Sequence, residues 1–162
     1  MLTRTIIVED EPLSKQYIRA LLHNIPNIEI VDTAATATEA IDKINGLQPD
    51  LVLLDLELHS GTGLEVVRNI LLTDTNIIFT TALDHQATRM IRISGMPFLQ
   101  KPIDAQELEM LILHSLERNK ALKEKQFYNL VETLNNQNLP VHIHIPEESI
   151  EQKTFINDII LI

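Results

Sequence analysis

Short apolar runs alternate with segments of helical period along most of this chain. The runs at residues 5–8, 28–34, 51–55, 76–81 and 97–101 read as strands, and apolar positions recur at helical spacing at about 13–24, 36–45, 64–72 and 85–94. A run such as Leu51-Val52-Leu53-Leu54 is apolar at every position, as suits a strand buried on both faces. Strand and helix in strict alternation predict a parallel sheet covered by helices on both sides. Local punctuation agrees: Thr36-Ala37-Thr38-Glu39 has capping-box spacing, and Asp104-Ala105-Gln106-Glu107 sets an N-cap with an acid three residues on. Gly46, Gly95 and Pro97 mark helix ends. The fold class expected is α/β, a doubly wound five-stranded parallel sheet followed by an extended C-terminal helix and a short β segment.

From Ala105 to about Asn136 there is no Gly or Pro, so one long helix or two abutting ones should run past the fifth strand. Leu113, Leu116, Phe127, Leu130 and Leu134 fall on a heptad seam that Lys120 and Lys123 interrupt. Two readings stand side by side, an interrupted dimerising coiled coil and a solvated connector whose first three turns cover the sheet. Pro140 closes this region. Beyond it Val141, Ile143 and Ile145 alternate with His142 and His144 in a second β segment with no core of its own. That segment reads as the start of a second, mostly absent domain near Leu139. His142 and His144 share a strand face, but two imidazoles without a third ligand read as a solvent face.

The chemistry gathers at strand ends. Glu9-Asp10 follows the first run, Asp55 ends the third, Thr80-Thr81 ends the fourth and Lys101-Pro102 ends the fifth. In an open parallel sheet these ends meet at one crevice. Each residue alone has a plainer role, as helix cap, solvated turn or surface lysine. Together they set three carboxylates, a hydroxyl and an ammonium at one place, which calls for a divalent cation and suits a transferable phosphoryl group. Gly61 and Gly63 do not form a phosphate loop, since no lysine follows at the required spacing.

Composition narrows the classes. The absence of cysteine excludes disulfide scaffolds and thiolate chemistry. A net charge of −10, from 13 basic and 23 acidic residues, opposes direct binding to a phosphate backbone. No apolar stretch approaches a membrane span and the N-terminus lacks a signal-peptide pattern, so a cytoplasmic location without membrane contact is expected.

The segments IIVEDEP, DLVLLDLELHSGTGLEVV, IIFTTA and FLQKPID, in this order and spacing, resemble the receiver domain of bacterial two-component response regulators. The tail VHIHIPEESIEQKTFINDIILI resembles the opening strands of the LytTR DNA-binding domain, and the receiver itself resembles those attached to LytTR domains. The resemblance implies a flavodoxin-like strand order 2-1-3-4-5, a receiver over residues 1–122, a helical linker over 123–138 and the start of a truncated LytTR-like domain over 139–162. It implies that Asp55 accepts a phosphoryl group from a sensor histidine kinase. Mg²⁺ would be held by Asp10, Asp55 and the backbone carbonyl of Glu57, with Glu9 mostly holding its water. Lys101 would neutralise a phosphoryl oxygen and Pro102 would follow a cis bond. Thr81 would be the switch hydroxyl and Phe98 the aromatic that follows it. The expected homodimer face is the helix opening at His85, the strand opening at Pro97 and the helix after Asp104. DNA would be reached only through the missing C-terminal domain, giving control of transcription.

Two departures bear on the site. His59 stands where such receivers usually carry proline, so a looser loop after Asp55 is expected, and Glu57 sets a carboxylate two positions past the nucleophile. Two further readings are weighed. One is a stand-alone receiver or phosphorelay carrier. The other is a haloacid-dehalogenase-type phosphohydrolase, whose pattern wants an Asp where Glu57 stands. The receiver reading makes the chain a non-enzyme that accepts phosphate without turnover.

Overall fold

The computed structural model describes residues 1–71, 74–82 and 86–136. Its strands are β1 (Thr3–Val8), β2 (Ile28–Ala34), β3 (Leu51–Asp55), β4 (Asn76–Thr81) and β5 (Phe98–Gln100). Its helices are α1 (Pro12–His23), α2 (Ala37–Leu47), α3 (Gly63–Asn69), α4 (Gln86–Ser94), α5 (Ala105–Glu117) and α6 (Lys120–Asn135). The strands form one parallel sheet in the order β2-β1-β3-β4-β5, the doubly wound arrangement expected. The order reverses between β1 and β3, so a crevice opens beyond the carboxyl ends of these two strands.

Side-chain alternation along β3 builds both halves of the core. Leu51 and Leu53 pack with Ile7, Ile18, Leu22, Leu108 and Ile112 under α1 and α5. Val52 and Leu54 face the other way, toward Ile44, Val66, Ile91 and Phe79. Every residue of β3 is buried, so no solvent face constrains its sequence to polar alternation. The expected caps are present. Thr36 accepts the Glu39 N–H at 3.1 Å, Glu39 in turn accepts the Ala35 N–H at 3.0 Å, and Asp104 accepts the Glu107 N–H at 2.9 Å.

The region after Asp104 differs from the coiled-coil and solvated-connector readings. It is two helices, broken where Arg118 leaves helical geometry at ψ 138°. Asn119 then starts α6 by accepting the Leu122 N–H at 2.8 Å. The heptad seam is split across the break: Leu113 stays exposed, whereas Phe127, Leu130 and Leu134 are buried in the same core half as α4. Tyr128 and Val131 are buried as well, so α6 is enclosed around more than one stripe. The Gln126 side-chain amide donates to the Gly95 carbonyl at 2.7 Å, fastening α6 to the end of α4. Position 122 lies inside this continuous helix. Asn119→Ala should cost about 1 kcal/mol, the usual worth of an N-cap, read as a lower denaturant midpoint with unchanged slope. The β segment expected after Leu139, with His142 and His144, and the opening residue His85 of the expected fourth helix lie outside the described residues.

Candidate functional site

The crevice at the strand ends collects the charged residues. Glu9 directly follows β1, and its N–H donates to the Ala34 carbonyl at 2.9 Å, which extends the β1–β2 ladder and turns the Glu9 side chain inward. The carboxylate is only 1% exposed. One oxygen accepts the Glu11 N–H at 3.1 Å, and the other accepts the Ser14 hydroxyl at 3.1 Å and the Lys101 ammonium at 2.6 Å. Asp55 ends β3 at 3% exposure. Its Oδ1 accepts the Glu57 N–H at 3.0 Å, and its Oδ2 accepts from Lys101 Nζ at 2.9 Å. Lys101 is placed by β4: its N–H donates to the Thr81 carbonyl at 2.7 Å, and its peptide bond to Pro102 is cis.

Asp10 completes the cluster. Carboxylate oxygens of Glu9, Asp10 and Asp55 lie within 4.8 Å of one another. Up to three negative charges therefore face one ammonium, and a second cation is the simplest way to balance them. The titration of the group reflects this. Asp55 is pushed up to about 6, first by burial and then by the charge of Glu9, against the opposing pull of the Glu57 N–H and Lys101. Burial pushes Glu9 up too, but hydrogen bonds from Lys101 and the Glu11 N–H outweigh it and hold Glu9 below the usual range. Burial disfavours the charge of Lys101, yet its two carboxylate partners raise it. One proton is thus retained on Asp55 in mildly acid solution while Glu9 stays ionised.

The other expected site residues lie at the crevice or beside it. Thr81 is 2% exposed at the end of β4. Glu57 is exposed, and it pairs with Thr62 in an isolated antiparallel bridge that closes the loop after Asp55. Phe98 is half-buried on β5, and the Arg92 guanidinium of α4 lies over its ring at 5.2 Å from the centroid. The loop after Asp55 is tethered rather than loose, because the His59 N–H donates to Asp10 Oδ2 at 2.6 Å.

Three contributors were missed in the sequence: Ser14 on Glu9, Arg92 on Phe98 and Gly63 under Asp55. A Cβ on Gly63 would lie 2.5 Å from the Asp55 carbonyl oxygen and 3.1 Å from Leu56 Cα. Only glycine lets α3 start this close to the end of β3. Gly63→Ala should cost about 1–3 kcal/mol through overpacking, measurable by denaturant unfolding.

Comparison with known proteins agrees with this geometry. The family model described as "Response regulator receiver domain" matches residues 5–113. The transcriptional regulatory protein BtsR of Salmonella typhi is 34% identical over 125 residues, covering 75% of this chain and 51% of that protein. An uncharacterized response regulatory protein of Yersinia pestis is 38% identical over 107 residues, 65% of this chain and 44% of the relative. This chain spans about half the length of these curated relatives. Among solved structures, the receiver domain of the Erythrobacter litoralis PhyR response regulator is 28% identical with a TM-score of 0.61, covering 74% of this chain and 93% of that one. The response regulator domain of Thermotoga maritima CheB, at 20% identity and a TM-score of 0.63, shares the fold over 74% of this chain and 99% of its own. With the acidic crevice and the 2-1-3-4-5 sheet in the same chain, this protein belongs to the response regulator receiver family.

Proposed function

We propose that Asp55 is the phosphoacceptor of a two-component relay. The observation that carries this reading is the pair of bonds from Lys101 Nζ to Glu9 at 2.6 Å and to Asp55 at 2.9 Å, in a crevice that already holds a third carboxylate. The donor is the phosphohistidine of a sensor histidine kinase. Asp55 attacks phosphorus, the P–N bond to the imidazole breaks, and an acyl phosphate forms on the carboxylate. Lys101 accompanies a phosphoryl oxygen as a point charge. Glu9, kept ionised by Ser14 and the Glu11 N–H, anchors that ammonium on its other side.

All-oxygen donors clustered this closely fit a hard divalent cation, and Mg²⁺ is the ion we assign to them. Asp10, Asp55 and the Glu57 carbonyl would hold it, with Glu9 acting mainly through water. When bound, it would screen the carboxylates and the incoming phosphoryl oxygens.

Phosphate at Asp55 then acts by preferring one of two arrangements of Thr81 and Phe98. Phe98 can report by packing only, and Arg92 covers it in the arrangement described here. The output face is α4, β5 and α5, where Ile93, Met110 and Leu113 are apolar and exposed, and a second copy would cover them. The named relatives are transcriptional regulators about twice as long, which supports an attached DNA-binding region of LytTR type and a cytoplasmic role. No helix among the described residues is long and apolar enough to cross a membrane.

Incubation with acetyl phosphate and Mg²⁺ should label the protein to about one equivalent, with no sustained turnover of phosphomonoesters. Continuous release of phosphate from phosphomonoesters would favour the phosphohydrolase reading instead.

A further inference from the structure

His59 is positioned to be more than a loop residue, and what it does rests on the metal reading above. Its backbone N–H donates to Asp10 Oδ2 at 2.6 Å, and its ring Nδ1 meets that same oxygen. The imidazole is 88% exposed and the Asp10 side chain 11%, so the ring reaches the carboxylate from the solvent side of the crevice. It borders the same cleft as Glu9, Asp55, Glu57 and Lys101. A carboxylate oxygen only accepts hydrogen bonds, and an imidazole nitrogen without a proton also only accepts. Nδ1 and Oδ2 therefore need a cation between them, which is either a proton or a metal ion shared by both.

We propose that His59 is an additional ligand of the divalent ion at Asp10, and that it tilts this site from Mg²⁺ toward first-row transition metals such as Mn²⁺ and Co²⁺. Magnesium is hard, favours oxygen donors and keeps several waters. Imidazole suits the transition ions, and exchanging one water for a ring nitrogen favours them selectively. The backbone tether supplies the preorganisation: with the His59 N–H held by Asp10, the ring needs only a side-chain rotation to follow an ion into the crevice.

The experiment is calorimetric titration of the whole chain with MgCl₂ and with CoCl₂ at about pH 8, where an ordinary imidazole is neutral. Wild type, His59→Ala and His59→Gln are compared, with Asp10→Asn marking binding at other histidines. At 88% exposure the His59 side chain is not part of the core, so both variants should fold. Expected is a loss of Co²⁺ affinity of about tenfold or more in both His59 variants, with Mg²⁺ affinity within about twofold of wild type. In wild type, Co²⁺ should also broaden the His59 ring resonances, and Asp10→Asn should abolish that broadening. Equal Co²⁺ to Mg²⁺ affinity ratios in wild type and both variants would overturn the proposal while leaving the metal site standing. Tighter binding of both ions in the variants would also overturn it, since His59 would then be a competitor. Wild type that binds neither ion would sink the metal reading itself and this inference with it.

Discussion

Asp55→Asn raises the stability of the metal-free protein at neutral pH, even though it removes a residue that bonds Lys101. The reason is the retained proton. Asp55 titrates at about 6 in the folded protein, above the ordinary aspartate value of about 3.9, so the fold prefers its neutral form. The sign follows: between about pH 4 and 6 the folded state binds more protons than the unfolded one, stability falls as pH rises, and above about pH 6 the full cost is present. An amide of the same shape carries no such cost. The expected gain is about 2 kcal/mol at pH 7 to 8, or about 4–8 °C in melting temperature, shrinking toward zero near pH 4. Mg²⁺ should narrow the difference by stabilising wild type more than the variant. Paired thermal melts across pH, with and without Mg²⁺, check all three statements. A variant that is less stable than wild type at neutral pH would show that the Lys101 bond outweighs burial.

Lys101→Met should do the opposite. Methionine keeps much of the apolar stem of Lys101 but leaves Glu9, 1% exposed, beside Asp55 with no ammonium between them. Removing one member of a buried ion pair costs about 3–5 kcal/mol, and proton uptake by the stranded carboxylates limits the loss. Both carboxylates then titrate higher in the folded state, so their cost is full at high pH and disappears as they protonate. The expected loss is about 3 kcal/mol near pH 8, with most of it recovered near pH 5. Mg²⁺ should also restore part of it by supplying the missing positive charge. A loss that is the same at both pH values would mean that Lys101 acts through packing alone. Opposite pH slopes for Asp55→Asn and Lys101→Met would tie both effects to the same group of charges.

The central architecture was legible because it rests on local pattern. The runs at 28–34, 51–55 and 76–81 are strands over those residues, since each is apolar and bounded by turn residues. The fifth strand is shorter than its apolar run, spanning Phe98–Gln100, because Pro97 cannot donate to a ladder. The meeting of Glu9, Asp10, Asp55 and Lys101 was legible for the same reason. A parallel sheet brings its strand ends together whatever the loops do.

What escaped the sequence depends on where segments travel in space. Nothing local separates Arg118-Asn119-Lys120 from a continuing helix surface, and the break is visible only once Asn119 caps a helix that packs against α4. The reach of Ser14 to Glu9, of Arg92 to Phe98 and of the His59 N–H to Asp10 likewise depends on turns that no short pattern specifies. Gly63 shows the same limit. It was read only as failing to make a phosphate loop, whereas its role is to leave room for the Asp55 carbonyl.

The most direct test of the account is to treat wild type and Asp55→Asn with acetyl phosphate, with Mg²⁺ or with a chelator, and map the acyl phosphate by mass spectrometry. The account predicts one labelled carboxylate, Asp55, in wild type with Mg²⁺, and none in the variant or in the chelated sample. A label on another residue, or one that survives Asp55→Asn, would contradict it.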